Sequence, residues 1–511
     1  CTCRGEVPCR LRACVRVRAL ACVRGVARQL ADATAGTRRR SSMSTRRPEL
    51  RRPQLRRAAA WAAAAAVVAL TASAAALVAP TWALVAPPRA GAGAAPAART
   101  AAAAAKGASA LSPGAEPALE LYSGIGGLRA ALERAQRLRL DSGSSATSKQ
   151  HFEVKHAYDV NLQAALAYKH YWGDAPQARS IEHVDAREFD KLGASLWLMS
   201  PPCQPYTKGG LQRDAQDQRA ASLLYLIRLL DLPHEEEEAP MSEVAAPAGQ
   251  YRLARPPRGL FLENVPGFEV SECRALLIAA LLRRGYSIEE FLLSPEAVGY
   301  PNTRTRYYLV ATLGVAPDGA PERGADAVAA ALAREPTIVL PGGDASLSPP
   351  PRVSMAEILD RTSWDGDIAL RVPRRHLELA AARGLWWNVI DEASSTSLTV
   401  TKGYGKHIDK AGPIMIAGAV VDADRRDGTP QAQERFRLVA PEECARFLAP
   451  AEIARLHGMP ADWSFPKELS YRQCWALLGN SVHVETIARL MAVTLLPRLE
   501  TLAETVEASE A

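Results

Sequence analysis

An α/β fold on a doubly wound parallel sheet is predicted for this 511-residue chain, and three observations predict it. Short apolar, strand-like runs alternate with segments of helical period from residue 118 to residue 283. The first run, Ala118-Leu119-Glu120-Leu121, passes straight into a glycine turn that opens a helix. The fourth, residues 195–199, passes into Pro201-Pro202-Cys203-Gln204-Pro205, one cysteine held among prolines. In such folds ligands bind beyond the carboxyl ends of the strands, so both turns belong to the functional end.

Ahead of this body lies a leader of different composition. Residues 1–57 hold 16 basic and 3 acidic residues, leaving 46 against 52 for the rest, so the net charge of +7 belongs to the leader. A globally basic body is thereby excluded, and any nucleic-acid surface on it is a local patch. Residues 58–79 run uncharged through Ala, Val, Leu and Trp61, long enough to span a bilayer although alanine is only weakly membrane-seeking. The chain opens on Cys1, so either a fragment or untranslated sequence ahead of Met43 is expected. With Met43 as the start, residues 46–57 and 58–79 read as the basic and apolar regions of a signal peptide or anchor, and the Ala/Pro-rich stretch to residue 112 as a linker or transit-like segment. The leader resembles the two-part leaders of proteins sent to plastids; a retained anchor and an unstructured extension are the alternatives.

Cysteines divide the same way. Cys1, Cys3, Cys9, Cys14 and Cys22 crowd the leader, while the body has Cys203, Cys273, Cys444 and Cys474, widely scattered. No Cys pair or His/Cys spacing suggests a disulfide framework or a metal site, so no metal is expected, and the body reads as a reduced-compartment protein.

Along the body, the turn Ser123-Gly124-Ile125-Gly126-Gly127-Leu128 lets a ligand approach the backbone at the start of a helix over residues 128–138. A nucleoside with a carboxylate tail fits such a turn, as does no ligand at all. A second strand, residues 152–158, ends at Asp159 and Val160, with a helix from about Asn161. Asp159 reads either as an acceptor for two ribose hydroxyls or as a helix cap. Ser180, Ile181 and Glu182 are placed at the tip of a third strand, which makes residues 195–199 the fourth. Cys203 is then an aimed nucleophile or one more packed thiol. A helix over residues 220–230 and an acidic, solvated insertion at residues 234–250 follow.

The fifth strand, residues 259–267, carries Glu263-Asn264 directly after its apolar run, where burial raises a carboxyl pKa unless the group is simply solvated. A helix over residues 273–283 and a strand over residues 286–293 precede a strand over residues 300–310, on which Arg304 and Arg306 share one face at period two. That face is surface, or a clamp for a carbonyl or phosphate. Residues 313–395 lack sustained periodicity and read as a second lobe, with Thr401-Lys402-Gly403-Tyr404-Gly405 in its hairpin or basic loop. The chain turns helical from residue 447, and Leu478-Gly479-Asn480-Ser481-Val482 precedes a terminal amphipathic helix to about residue 496.

Taken in order, the glycine turn, Pro-Pro-Cys-Gln-Pro, Glu-Asn-Val, the two arginines and Gly-Asn-Ser resemble the cytosine-5 methyltransferases that use S-adenosylmethionine. Leu121-Tyr122-Ser123-Gly124, residues 301–307 and Thr401-Lys402-Gly403-Tyr404-Gly405 are most similar to the branch that methylates cytosine 38 of aspartate tRNA. The resemblance implies a Rossmann-like class I methyltransferase sheet with a small target-recognition lobe. The catalytic domain spans residues 113–312 and returns at residues 441–500, the lobe is residues 313–440, and residues 501–511 form a tail. It implies Cys203, Glu263, Asn264, Arg304 and Arg306 as catalytic residues, with Cys203 adding to C6 of cytosine. It implies a cofactor pocket of Ser123, Gly124, Ile125, Gly126, Gly127, Leu128, Asp159, Val160, Ile181, Glu182, Pro201, Asn480 and Ser481, with Thr401, Lys402 and Tyr404 toward the substrate. The implied partner is a tRNA anticodon loop, with DNA possible, a monomer, a location in cytoplasm or nucleus unless the leader redirects it, and membrane contact only through residues 58–79. A DNA enzyme and an RNA-binding scaffold without turnover are the alternatives. In the branch Cys-Phe-Thr usually precedes Lys-Gly-Tyr-Gly, where this chain has Thr399-Val400-Thr401.

Overall fold

Apolar runs with no polar interruption become the central strands of one sheet, because strands covered on both faces have no solvent side to mark with polar residues. The computed structural model describes residues 114–142, 150–206, 213–231, 253–314, 325–341, 352–360, 367–383, 388–407, 411–416 and 445–510, with positions 347 and 350. The leader with its candidate anchor, the acidic insertion and residues 417–444 lie outside the described residues. Among the described residues no helix is long and apolar enough to cross a membrane.

The main sheet uses β1 (Ala115–Leu121), β2 (His151–Tyr158), β3 (Leu196–Met199), β4 (Gly259–Asn264) and β5 (Tyr286–Leu293); after a two-residue β6 (Asn302–Thr303) comes β7 (Arg306–Leu313). Its order is β2-β1-β3-β4-β7-β5. β1, β2, β3 and β4 pair in parallel, whereas β7 runs antiparallel between β4 and β5, so the sheet is mixed and not wholly parallel. Around it lie α1 (Gly127–Asp141), α2 (Leu162–Trp172), α3 (Ala186–Leu192), α4 (Ala221–Leu230), α5 (Glu272–Arg283) and α6 (Ala325–Ala333).

Alternate residues feed two cores. Leu196, Leu198, Phe261, Tyr308 and Val310 face α1 and the C-terminal helices, while Leu119, Leu121, Trp197, Met199, Leu260, Leu262 and Leu309 face α4 and α5. Both faces are covered, as the alternation of strands and helices predicts.

The expected third strand does not form. Tyr158 makes an isolated bridge to Gln177, and Ile181–His183 is a single 3-10 turn, so residues 196–199 are the third strand and not the fourth. Pro176 has no backbone donor for a ladder, and Gly173 ends α2 only a few residues earlier.

Residues 325–337 pack with the sheet and not with the lobe. Leu332 and Val328 join the α5 side of the core, and Thr337 exchanges backbone hydrogen bonds with Glu290 and Leu292 of β5 (2.8 Å each). The lobe itself carries α7 (Met355–Ile358), α8 (Arg374–Arg383), β8 (Asn388–Ile390), β9 (Ser397–Leu398), β10 (Pro413–Ile416) and β11 (Ala445–Arg446). β9 pairs with β6 and β10 with β8, both in parallel, so the segment between them is no hairpin. At its centre Tyr404 packs edge to face on both Phe447 and Trp475, which are tilted against each other.

The chain then returns through α9 (Pro450–Leu456), α10 (Tyr471–Gly479), α11 (Val484–Leu490), a π-helical turn at Met491–Leu495 and α12 (Leu496–Glu510). The last helix therefore outruns its expected end near residue 496, because Leu499 continues the apolar stripe and is fully buried against Gly259.

Candidate active site

The pairing register decides which loops meet. Leu121 lies beside Met199 and Met199 beside Leu262, so β1 and β3 end level and β4 runs two residues beyond them. The antiparallel partner β7 begins at the same level, with Tyr307 opposite Asn264. The glycine turn, the Cys203 loop, Glu263-Asn264 and Arg306 thus share one edge of the sheet.

At that edge Glu263 is 6% exposed and engaged from two sides: the Ser200 hydroxyl donates to Oε2 at 2.8 Å, and Arg306 Nε lies 3.3 Å from Oε1. The reading of Glu263 as an idle, solvated strand end is therefore overturned. Asn264 donates from Nδ2 to the Pro201 carbonyl at 3.3 Å and accepts from Val265 N at 2.8 Å, tying the thiol loop to β4. From the other side Gly267 (φ 110°) has no room for a side chain, since a Cβ would meet the Tyr206 carbonyl at 2.7 Å. Tyr206 closes a turn on the Cys203 carbonyl (3.0 Å) and stacks on Phe268. Cys203 itself is half-buried, and burial followed by the nearby charge of Glu263 pushes its thiol pKa up, with Arg306 and Arg304 opposing. The resting side chain is a neutral thiol.

Arg304 and Arg306 do not share a strand face. The strand is broken between Thr303 and Arg306, which sends the side chain of Arg304 inward, 2% exposed, to the carbonyls of Val400 and Gly479. Its pKa is pushed down to about 9 by burial, with the charge of Arg306 adding. Arg306 alone meets Glu263.

On the other side of the edge, the glycine turn is shaped by left-handed backbone at Tyr122 (φ 58°), Gly124 (φ 54°) and Gly126 (φ 84°). A Cβ at Gly126 would strike the Trp172 indole at 2.1 Å, and one at Gly127 would strike Val482 at 2.6 Å. Asp159 is not the cap of α2; Asn161 is, accepting from Gln163 N and Ala164 N. The Asp159 carboxylate instead accepts from Gly124 N (2.8 Å) and Asn161 N (2.7 Å), clipping the glycine turn to the tip of β2. Unpartnered buried atoms lie nearby: the Ser123 hydroxyl and one carboxylate oxygen of Glu182. Val160 is exposed, Ile181 buried, and Asn480 exposed where it ends α10.

Of the three residues expected toward substrate, Lys402 is exposed and Thr401 half-buried, but Tyr404 is a core residue. Its hydroxyl donates to the Pro413 carbonyl (2.5 Å) and accepts from Leu448 N (2.9 Å), so it holds the lobe together and has no free face. Sequence reading missed Ser200 as a partner of Glu263, Gly267 as the latch on the thiol loop, and two buried histidines, His457 and His483. Ser200 and Gly267 were signalled by flanking Pro-Pro-Cys and Glu-Asn-Val; a single histidine near a helix end signals nothing. Among the described residues no group of His, Cys, Asp or Glu is arranged to hold a metal ion.

The described sheet, lobe and return match solved structures of methyltransferases. The S. pombe Dnmt2 methyltransferase superposes with a TM-score of 0.53 at 25% identity, covering 75% of this chain and 99% of that one. The class is thus a methyltransferase of mixed α/β fold. Residues 117–316 and 349–494 match the profile of the C-5 cytosine-specific DNA methylases, and the chain belongs to that family. A tRNA (cytosine(38)-C(5))-methyltransferase of Rattus norvegicus is 31% identical over 421 residues, 73% of this chain and 98% of its own length. A DNA (cytosine-5)-methyltransferase of Dictyostelium discoideum is 29% identical over 402 residues, 75% of this chain and 95% of its own.

Proposed function

We propose that this protein methylates C5 of cytosine 38 in aspartate tRNA, with S-adenosylmethionine as the methyl donor. The observation that carries the chemistry is the common edge at which a stiff thiol loop is fastened, through Asn264 and Ser200, to the Glu263–Arg306 pair. The unpartnered Ser123 hydroxyl and Glu182 oxygen fit the polar groups of a nucleoside-type cofactor, and the open space beside Gly124 leaves backbone for it to approach. Residues 123–128, Asp159, Val160, Ile181, Glu182, Pro201, Asn480 and Ser481 would hold it. When bound, this cofactor supplies a methyl group made electrophilic by its sulfonium.

Carbon 5 of cytosine is a poor nucleophile, and Cys203 remedies that by adding as thiolate to C6, which moves an electron pair toward C5. The carboxyl of Glu263, held by Ser200 and Arg306, shares a proton with N3 and draws charge off the ring as the adduct forms. Because the resting thiol is neutral, addition waits for a base to be seated against Glu263, whose carboxylate would take the thiol proton and pass it to N3 as the S–C6 bond forms. Loss of the C5 proton to water and expulsion of the Cys203 thiolate, which takes back the N3 proton through Glu263, would then leave 5-methylcytosine. The target base has to leave its stack, which is easier in a single-stranded anticodon loop than in a duplex. RNA is further supported by the name of the Rattus norvegicus relative.

Incubating the full chain with labelled S-adenosylmethionine and aspartate tRNA tests the reading. Label is expected in the tRNA, absent when cytosine 38 is replaced by uridine, and absent with Cys203→Ala. Label entering duplex DNA and not tRNA would make it a DNA enzyme, the reading that the name of the Dictyostelium discoideum relative favours.

A further inference from the structure

Arg304 stands two residues before Arg306 and has a different task. Its Nη1 donates to the Val400 carbonyl at 3.0 Å, and its Nη2 donates to the carbonyls of Gly479 (3.4 Å) and Ser481. Val400 leads into the lobe turn at residues 401–404, whereas residues 479–481 follow α10 on the return to the main sheet. Both segments are pressed against further backbone. A Cβ on Gly479 would meet the Thr401 carbonyl carbon at 2.3 Å and Lys402 N at 2.4 Å. A Cβ on Gly127 would meet Val482 Cγ2 at 2.6 Å and Ser481 Oγ at 3.3 Å. One line of contacts therefore runs from the glycine turn through Ser481 and Val482 to Arg304, and from there to Val400, Thr401 and Lys402.

A guanidinium is a costly way to fill such a seam. Among the described residues no carboxylate ion-pairs with Arg304 and its Nε has no partner, so the buried charge is hydrogen-bonded to carbonyls only, with Glu263 acting on it from a distance. The two histidines near enough to feel that charge, His457 and His483, are buried and kept neutral by burial and by Arg304 itself. An apolar side chain would pack this seam more cheaply; what only arginine's fork supplies is simultaneous attachment to segments on both sides.

We propose that Arg304 is a positioning residue that couples the two ligand-facing walls, holding the lobe turn at residues 401–404 against the glycine turn so that occupancy of one wall tightens binding at the other. The assignment of those walls to target and cofactor rests on the function proposed above.

The test is calorimetric binding of S-adenosylhomocysteine to the full-length protein, alone and with saturating unmodified aspartate tRNA, for wild type, Arg304→Lys and Arg304→Met. In wild type the tRNA is expected to tighten S-adenosylhomocysteine by about 5- to 150-fold. In Arg304→Met the two ligands should bind independently, and Arg304→Lys should keep part of the coupling, since a single ammonium cannot span three carbonyls. Circular dichroism and a thermal melt check that each variant is folded. If Arg304→Met does not fold, Arg304→Lys decides: reduced coupling in a folded protein supports the proposal, and full wild-type coupling overturns it. An Arg304→Met protein that melts lower yet keeps wild-type coupling has lost only a staple, which also overturns it. If duplex DNA is methylated and tRNA is not, the same cycle run with that DNA decides the coupling while the tRNA reading falls. A wild-type protein in which neither nucleic acid alters S-adenosylhomocysteine affinity ends the proposal.

Discussion

Arg304 and Arg306 are neighbours in sequence and opposites in setting. Arg306 lies at the open end of the sheet, 3.3 Å from a carboxylate that is itself held by a serine. Arg304 is sealed behind it among carbonyls and two neutral imidazoles. On the function proposed above, the open pair would change partners when a base arrives, because each group keeps hydrogen-bonding capacity to spare. The sealed one cannot, and its three bonds hold backbone in place instead. On the function and coupling proposed above, the same chemical group would serve reactivity at one depth and rigidity at another, and the break in the strand between Thr303 and Arg306 separates the two depths.

The sharpest way to divide the open edge from the sealed seam is to remove the nucleophile. Cys203→Ala should abolish turnover in the labelled-methyl assay and leave S-adenosylhomocysteine binding at the wild-type level; turnover that survives would remove Cys203 from the chemistry. Next in size, Glu263→Gln keeps the shape of the site but loses the shared proton, so a fall in kcat of roughly 100- to 1000-fold is expected with little change in cofactor affinity. Arg306→Met, which frees one carboxylate oxygen of Glu263, should lower kcat by about 10-fold or more without the loss of ligand coupling expected of Arg304→Met. If the two arginine variants behaved alike, the distinction drawn here would be broken.

A second sealed group lies under the glycine turn and moves the other way with pH. Glu120 of β1 is fully buried, accepting from Arg129 N at 3.0 Å and from the Tyr168 hydroxyl at 3.1 Å, and burial pushes its pKa up to about 7 in spite of Arg129. Its folded pKa therefore lies above its unfolded one, so the native state binds the extra proton and stability is lost as pH rises from about 4.5 through 7. Denaturant unfolding at pH 5 and pH 8 should show Glu120→Gln gaining on wild type by up to roughly 3 kcal/mol across that interval. Equal pH slopes for the two proteins would mean that Glu120 is ionised at little penalty.

Much of this architecture is legible before any coordinates, and the parts that are not share a cause. β1, β3 and β4 show as apolar runs, and the glycine turn shows because only a residue without a side chain fits against Trp172 at Gly126. Cys203 and Glu263 show because proline rigidity and a carboxylate at a strand end are local features. The reversed strand β7 does not show, since its place between β4 and β5 is settled by pairing across distant segments. Arg304 reads as surface by the period-two rule until the chain is seen to leave the ladder at Thr303. Asp159 gave no sign that Gly124 N would occupy its carboxylate, 35 residues away in sequence. Tyr404 looked like a contact for substrate because its turn is basic and glycine-rich, yet an aromatic ring between two glycines is also what a small lobe needs at its centre.

The smallest effect expected concerns the imidazoles beside Arg304. Among the described residues neither ring nitrogen of the fully buried His457 has a partner, while His483 accepts from Thr486 N at 3.2 Å and faces the backbone of Leu456. Burial, followed by the charge of Arg304, holds His457 well below the usual histidine range and His483 down to about 3. These folded pKa values lie below the unfolded one near 6.5, so the unfolded chain takes up the protons; stability is complete above that pH and is lost as pH falls beneath it. Both histidines should therefore cost stability as pH falls from 7.5 to 5.5, His483 by roughly 1 kcal/mol and His457 in the same direction. His457→Leu removes one of the two titrations and leaves no buried polar atom unsatisfied in its place, so its loss over the same interval should be smaller than that of wild type. Parallel pH slopes would mean that water or a rotated side chain already lets His457 charge inside the seam, and then the seam is not sealed and the contrast with Arg306 is one of partners alone.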